Sequence, residues 1–281
     1  MEHDHGIRQV RLTRYSEDGL VDTTDYASEE EPLELVVEYG PIDDRNRFTL
    51  AITMRTPGND AFLLRGFLLT EGIVETPEDI QSCKRTVTGP AGHQSITAAL
   101  SPGVVFSPEK QQRHFYTTSS CGVCGKTSID MVRQVTSFRP VPNQPSISAK
   151  ILYSMSRVML DKQFMFQKTG GIHAAGLFDS TGKLLAVQED VGRHNAVDKL
   201  IGTAMTKMKL PLNKHVLMVS GRAGFELVQK ASVSGIALFA AVGAPSSLAI
   251  ELAEESGMTL IGFLKDKGFN IYTHPGRIVA D

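Results

Sequence analysis

From His215 to Leu264 the chain repeats one pattern twice: an apolar run, a loop of small residues, a helical stretch and a further apolar run. The runs are His215–Val219, Ile236–Val242 and Met258–Leu264, with helical patterns at Phe225–Ser234 and Leu248–Glu255 between them. Strands that are apolar without alternation are buried on both faces, and consecutive βαβ units place them parallel with helices covering the sheet. An α/β fold is therefore predicted for this half of the chain. The loops Ser220-Gly-Arg-Ala-Gly224 and Gly243-Ala-Pro-Ser-Ser247 both leave the carboxyl end of a strand and open a helix. Lys265-Asp-Lys-Gly268 leaves the next strand at the same edge. Open α/β sheets bind ligands at that edge, and helix starts present N–H groups to anions. The three loops predict a nucleotide-phosphate rim, with Ser220, Gly221 and Arg222 as candidates and Arg222 as a bidentate contact. Neither helix-start loop fits G-x-G-x-x-G or the Walker pattern, and ordinary short βα turns read the same way.

Upstream, Gly171–Asp179 and Lys183–Glu189 read as strands joined by Ser180-Thr-Gly182 as a hairpin. Apolar residues at 197, 200, 201, 204, 205 and 208 predict a helix over Asn195–Met208. The junction between them, Glu189-Asp-Val-Gly-Arg-His-Asn195, is the densest polar cluster in the sequence. It supports two readings. In one, Asp190 caps the helix, Arg193 forms an ion pair and His194 is a satisfied neighbour. In the other, His194, with His173 on the adjacent strand, clamps a ligand or moves a proton.

Ser148 is placed to cap a helix with apolar positions 151, 152, 155, 158 and 159 on one face. Before it, three prolines between 140 and 145 break all regular structure and predict a boundary. The expected units are an N-terminal mixed β/α domain over 1–139 and a C-terminal α/β domain over 146–281, making the chain α+β overall. In the first unit Leu33–Tyr39 and Arg47–Arg55 pair as strands across the turn that opens at Gly40, and Ile80–Thr88 and Ser95–Leu100 are further strands. Asn59-Asp60 is expected to cap a helix running to Leu69, covered by the sheet. Cys83 reads as a small packing residue, and residues 1–31 as a solvated edge.

Thr117-Thr-Ser-Ser-Cys-Gly-Val-Cys-Gly-Lys126 carries the chemistry of the first unit. Cys121 and Cys124 stand in a C-x-x-C spacing among residues too small to anchor the loop in a core. Gly122 and Gly125 free the backbone, and Lys126 with a helix expected over Ser128–Phe138 lowers a nearby thiol pKa. A reactive sulfur arm is one reading. Structural zinc is another, although Cys83 stands alone and the eight histidines show no short pair after the cysteines. A thioredoxin-like dithiol is a third, although the preceding residues are polar and not a strand.

A net charge of −2 gives no general attraction to nucleic acid or an anionic membrane. The polar, acidic start Met1-Glu-His-Asp-His5 is unlike a signal peptide, and no run of about 18 apolar residues occurs. Three cysteines do not make a secreted disulfide scaffold. A cytoplasmic protein is expected.

Five segments in order resemble the FdhD family, the accessory sulfurtransferases of formate dehydrogenase. They are Ser120-Cys-Gly-Val-Cys-Gly125, Thr169-Gly-Gly-Ile-His-Ala-Ala175, Glu189-Asp-Val-Gly-Arg-His-Asn195 with its continuation to Leu200, Val219-Ser-Gly-Arg-Ala-Gly224 with its continuation to Lys230, and Tyr272-Thr-His-Pro275. The resemblance implies a carrier that receives persulfide sulfur from a cysteine desulfurase. It implies transfer to the bis-molybdopterin guanine dinucleotide cofactor, destined for a molybdenum- or tungsten-dependent formate dehydrogenase. Cys121 takes the persulfide role, while Cys124 tunes the transfer or releases the sulfur. The implied cofactor-binding segment is Phe263, Leu264, Lys265, Asp266, Lys267 and Gly268, and guanine nucleotides such as GDP are a partial mimic. The C-terminal domain is implied to be a cytidine-deaminase-like three-layer α/β unit. Because H-x-E and P-C-x-x-C zinc signatures are absent from the sequence, deaminase chemistry does not follow. A homodimer is expected. Two rivals stand beside this reading: a cofactor-binding chaperone without covalent sulfur chemistry, and a redox or zinc C-x-x-C module.

Overall fold

The computed structural model describes residues 6–89, 92–109 and 138–280. The chain begins with an antiparallel ribbon, β1 (Ile7–Ser16) and β2 (Gly19–Ser28), where only solvated residues were expected. The residues are solvated, but ladder pairing orders them. β3 (Glu31–Tyr39) and β4 (Asn46–Arg55) pair antiparallel, as their alternation predicts. Next come α1 (Asp60–Thr70) and the hairpin of β5 (Ile80–Thr88) and β6 (His93–Leu100), with β6 lying parallel to β3. The resulting sheet has the order β4-β3-β6-β5. Asn59 does not cap α1 with its side chain: its backbone is left-handed (φ 58°), and its amide nitrogen donates instead to Gln188 Oε1 at 2.9 Å. Asp60 pairs with the buried Arg55 at 2.9 Å.

The second half runs β7 (Ile147–Ser148), α2 (Ala149–Leu160), α3 (Phe164–Thr169), β8 (His173–Asp179), β9 (Leu184–Asp190), α4 (Arg193–Lys207) and β10 (His215–Val219). It continues through α5 (Phe225–Val233), β11 (Leu238–Ala241), α6 (Ser247–Glu255), β12 (Thr259–Lys265), β13 (Gly268–Thr273) and β14 (Ile278–Val279). The Ser148 hydroxyl caps α2 by accepting the Ile151 N–H at 3.3 Å. Six strands form one sheet in the order β13-β12-β11-β10-β8-β9. Its centre, β10 to β12, is parallel as the repeat predicts. On its flanks β8 pairs antiparallel with β10 and β9, and β13 with β12, the tight turns at 180–182 and 266–267 joining the β8–β9 and β12–β13 pairs.

Alternation along the strands sends side chains to opposite faces. Val216 and Met218 face α2, where they meet Leu152, Met155 and Met159. Leu217 and Val219 face α4, α5 and α6. Three layers result. On the outer side of α4 lies α1, and the apolar packing continues through Leu63, Leu64 and Leu68 to Leu33, Leu35 and Ile96 of the four-stranded sheet. Among the described residues no helix is long and apolar enough to cross a membrane.

α1 and α4 touch backbone to backbone. A Cβ on Gly66 would run into the Asp198 carbonyl, and one on Gly202 into that of Phe62. Around this crossing the polar groups are paired. Lys230 of α5 reaches Glu71 at 2.9 Å and Asp198 at 3.0 Å, and the Thr70 hydroxyl donates to Asp198 at 2.8 Å. Burial works against the Lys230 charge, but the two carboxylates outweigh it and raise its pKa, so the ammonium persists.

Gly66→Ala and Gly202→Ala each lower stability by about 2–3 kcal/mol in denaturant unfolding, because overpacking strikes backbone that has no rotamer to shift. Alanine favours an exposed helix by about 1 kcal/mol, so neutral or stabilised variants would show that the helices do not touch here.

Candidate functional site

The loops after β10 and β11 are bonded to each other. Gly243 N–H donates to Gly221 O at 2.9 Å, Ala223 N–H to Ala244 O at 3.1 Å and Ser246 N–H to Ala223 O at 3.0 Å. A side chain at Gly243 would stand 3.0 Å from Gly221 O, so glycine permits this close approach. Three N–H groups of the expected anion rim are thereby committed to carbonyls. The Ser246 hydroxyl also caps α6 by accepting the Ala249 N–H.

The open space lies on the α2 side of this edge. A cavity of about 760 Å³ is bounded by α2, α3, the start of β8, the 220 loop and the β12–β13 turn. That volume falls within the usual range for small-molecule sites. Its walls are apolar at Met159, Leu160, Phe166, Ile172, Val191 and Val242, with polar groups from Arg157, Gln163, His173, Ser220 and Asp266. Ser220 extends the sheet: its N–H donates to Ala174 O at 3.0 Å and its Oγ accepts the Ala174 N–H at 2.9 Å. Its own hydroxyl proton is left for another acceptor. His173 lies against Gly221, where a Cβ would be 3.4 Å from Nδ1. Burial, then the charges of Arg193 and His194, lower its pKa, so the imidazole is neutral near pH 7.

Three of the expected cofactor residues, Ser220, Gly221 and Asp266, line this cavity. The others lie elsewhere. Leu264 is in the apolar layer between α2 and the sheet, and is 1% exposed. Phe263 is exposed with a left-handed backbone (φ 54°). Lys265, Lys267 and Gly268 belong to the strand ends and the turn outside the lining, and Arg222 is exposed. His194 lines a different cavity of about 330 Å³ between β4 and α5, where its Nε2 meets Glu226 Oε2 at 2.6 Å. His173 thus joins the rim and His194 does not.

The rest of the polar junction is structural. Asp190 is fully buried, pairs with Lys199 at 2.7 Å, and accepts the N–H groups of Gly192 at 2.8 Å and Thr56 at 3.2 Å. Lys199 also donates to Thr56 O at 2.8 Å, and Asn195 to Met54 O at 2.8 Å. Gly192, not Asp190, is the N-cap residue of α4. Glu189 serves α3, accepting the N–H groups of Met165 at 3.0 Å and Phe166 at 2.8 Å, with its own pKa raised by burial. Helix α3 brings Gln163 and Phe166 to the cavity, and neither was singled out in the sequence. The one local sign was Gly170, which ends α3 in a left-handed conformation.

Cys121, Cys124 and the whole loop at 117–126 lie outside the described residues. Cys83 is partly buried against the core, and burial raises its thiol pKa, which suits packing and not nucleophilic attack.

Comparison with known proteins adds to this geometry. The model of the FdhD/NarQ family matches residues 28–279. A sulfur carrier protein FdhD of Mycobacterium tuberculosis is 46% identical over 275 residues, which is 95% of this chain and 97% of that protein. One from Sulfolobus acidocaldarius is 37% identical over 272 residues, 97% of this chain and 98% of its own. A solved structure from Desulfotalea psychrophila, described as a formate dehydrogenase accessory protein, shares the fold with a TM-score of 0.71. It is 23% identical and covers 97% of this chain and 99% of its own.

Two outcomes test the geometry. Lys199→Met leaves the Asp190 carboxylate buried without its cation and costs about 3–5 kcal/mol in unfolding experiments. A loss below about 1 kcal/mol would show that the pair is not buried. His173 titrates below the ordinary 6.5 when followed by NMR of its ring protons. The unfolded chain takes up that proton first, so the His173 contribution to stability is complete above 6.5 and is lost as pH falls through the folded value. A midpoint at or above 6.5 would contradict the buried placement.

Proposed function

The chain belongs to the FdhD/NarQ family, and from that premise we propose that it is a sulfur carrier serving formate dehydrogenase. In this reading Cys121 accepts sulfur from a cysteine desulfurase and passes it to the bis-molybdopterin guanine dinucleotide cofactor of a molybdenum- or tungsten-dependent enzyme. The observation that carries it is 46% identity to a sulfur carrier protein across 95% of the chain. The cavity supports the second half of the task, because it provides a ligand site at the edge where α/β sheets bind ligands.

The chemistry needs only thiolates. The Cys121 thiolate attacks the outer sulfur of the desulfurase persulfide, the old S–S bond breaks, and the desulfurase thiolate leaves. Cys121 now holds a persulfide, with no net oxidation. If Cys124 then attacks Cys121 Sγ, a disulfide closes and hydrosulfide departs, the two cysteines supplying its two electrons. A free thiolate pair of this kind suits a reducing, cytoplasmic compartment. Ser220 has a hydroxyl proton to donate to a ligand, neutral His173 supplies a donor or an acceptor, and Arg157 supplies a cation for phosphate. The volume suits one end of a dinucleotide cofactor, with GDP as a mimic of that end. A homodimer, the commonest symmetric assembly, belongs to the same proposal.

Mass spectrometry after incubation with a cysteine desulfurase and cysteine tests the carrier role. The wild type gains one sulfur atom on Cys121, and Cys121→Ala stays folded, gains none there and fails to restore formate dehydrogenase activity in cells lacking the native protein. Sulfur uptake and activity that survive in Cys121→Ala would overturn the assignment. Zinc bound in stoichiometric amount and lost on changing Cys121 and Cys124 would favour a metal module.

A further inference from the structure

Gln163 is 3% exposed, lines the cavity between α2, α3 and the 220 loop, and has an amide nitrogen with no acceptor among the described residues. Buried polar groups are nearly always paired, so an orphan on a cavity wall needs a cause. Its backbone offers none: its N–H donates to Leu160 O at 3.1 Å and its carbonyl accepts the Gln167 N–H at 3.0 Å. Helix capping offers none either. Gln163 holds the N-cap position of α3, yet its side chain makes no cap bond, and the Glu189 carboxylate takes the Met165 and Phe166 N–H groups in its place. The carboxamide is therefore spared from every local task.

Its surroundings define the acceptor it would meet. Arg157 and Asp266, the charged side chains of the lining, are both exposed, whereas the buried lining residues are Met159, Ile172 and Gln163. Gln163 is the one polar side chain in that buried group. A charged ligand group would be desolvated there without a counter-ion, so the inner end suits a neutral group. Phe166 on the same wall offers a face for a flat ring.

We propose that Gln163 reads the ligand's ring by donating its amide N–H to a ring carbonyl oxygen, so that the cavity selects a lactam-type heterocycle over an amino-substituted one. The proposal rests on the reading of this cavity as the cofactor site, and it names the side chain and the ring edge that give that site its selectivity. An amino group at the same position brings donor against donor, which leaves both unpaired. With no ligand bound, Gln163 is a liability to the fold, as groups held for function commonly are.

Calorimetry on the full chain with GDP, IDP and ADP, beside thermal melts, tests this. The wild type binds GDP and IDP about tenfold more tightly than ADP, the effect of one buried hydrogen bond. Gln163→Leu binds GDP about tenfold more weakly, no longer discriminates among the three, and without nucleotide melts at an equal or higher temperature. Gln163→Met gives the same pattern and stands in if the leucine variant fails to fold. Unchanged GDP affinity and discrimination in these variants would overturn the role of Gln163 while leaving the cavity as the nucleotide site. A lower melting temperature with intact affinity would assign the residue to structure alone. A wild type that binds none of the three would remove the cofactor-site reading and this inference with it.

Discussion

The contact on which the rest of the structure depends is the crossing of α1 and α4, where Gly66 and Gly202 let two backbones meet without side chains between them. Helices at that separation leave no room to slide, so the four-stranded sheet that α1 covers and the six-stranded sheet that α4 covers share one apolar packing. The polar groups then follow. Thr56, just before α1, is bonded through its N–H to Asp190, through its carbonyl to Lys199 and through its hydroxyl to the Val191 N–H. The junction that starts α4 is thus held from the other sheet. On the far side of α4, Lys230 repeats the arrangement with Glu71, Asp198 and Thr70.

Through this junction the fold sets the cavity. Val191 lies on the cavity wall, one residue after the buried Asp190. Glu189, one residue before it, takes the first N–H groups of α3 and so places Phe166 and Gln163. Ser220 is set by its paired bonds to Ala174, and Gly221 by its bond to Gly243. Most of the polar cluster that reads in sequence as chemistry is therefore scaffold for the cavity wall. Its charges still matter electrostatically, since Arg193 and His194 help to keep His173 neutral.

The parts legible in the sequence were those whose signal is local. The strands β10 to β12 showed as apolar runs because each is buried on both faces, and α2 showed through Ser148 and its apolar stripe. The β8–β9 hairpin showed through its short turn and pairs antiparallel as read, whereas β13, a short and half-exposed strand after the turn at 266–267, was not read. The β1–β2 ribbon was illegible because most of its residues face solvent and no apolar alternation marks it. Helix α3 was missed because it has six residues and takes its N-terminal partner from Glu189, on a strand beyond it. Between His173 and His194 no local pattern could choose. One begins a strand beside the 220 loop, and the other turns to Glu226 on α5. A glycine inside a helix is ordinarily a cost, and only the meeting of Gly66 and Gly202 gives these two a purpose.

The central claim is that the ligand site lies between α2, α3 and the 220 loop, on a scaffold locked by the two helices. Hydrogen–deuterium exchange with and without GDP measures this directly. The account predicts slowed exchange over residues 156–173 and 220–221, with the α1 and α4 amides equally protected in both states. Slowed exchange at 51–54 and 192–195, the cavity that holds His194, with 156–173 and 220–221 unchanged, would contradict it.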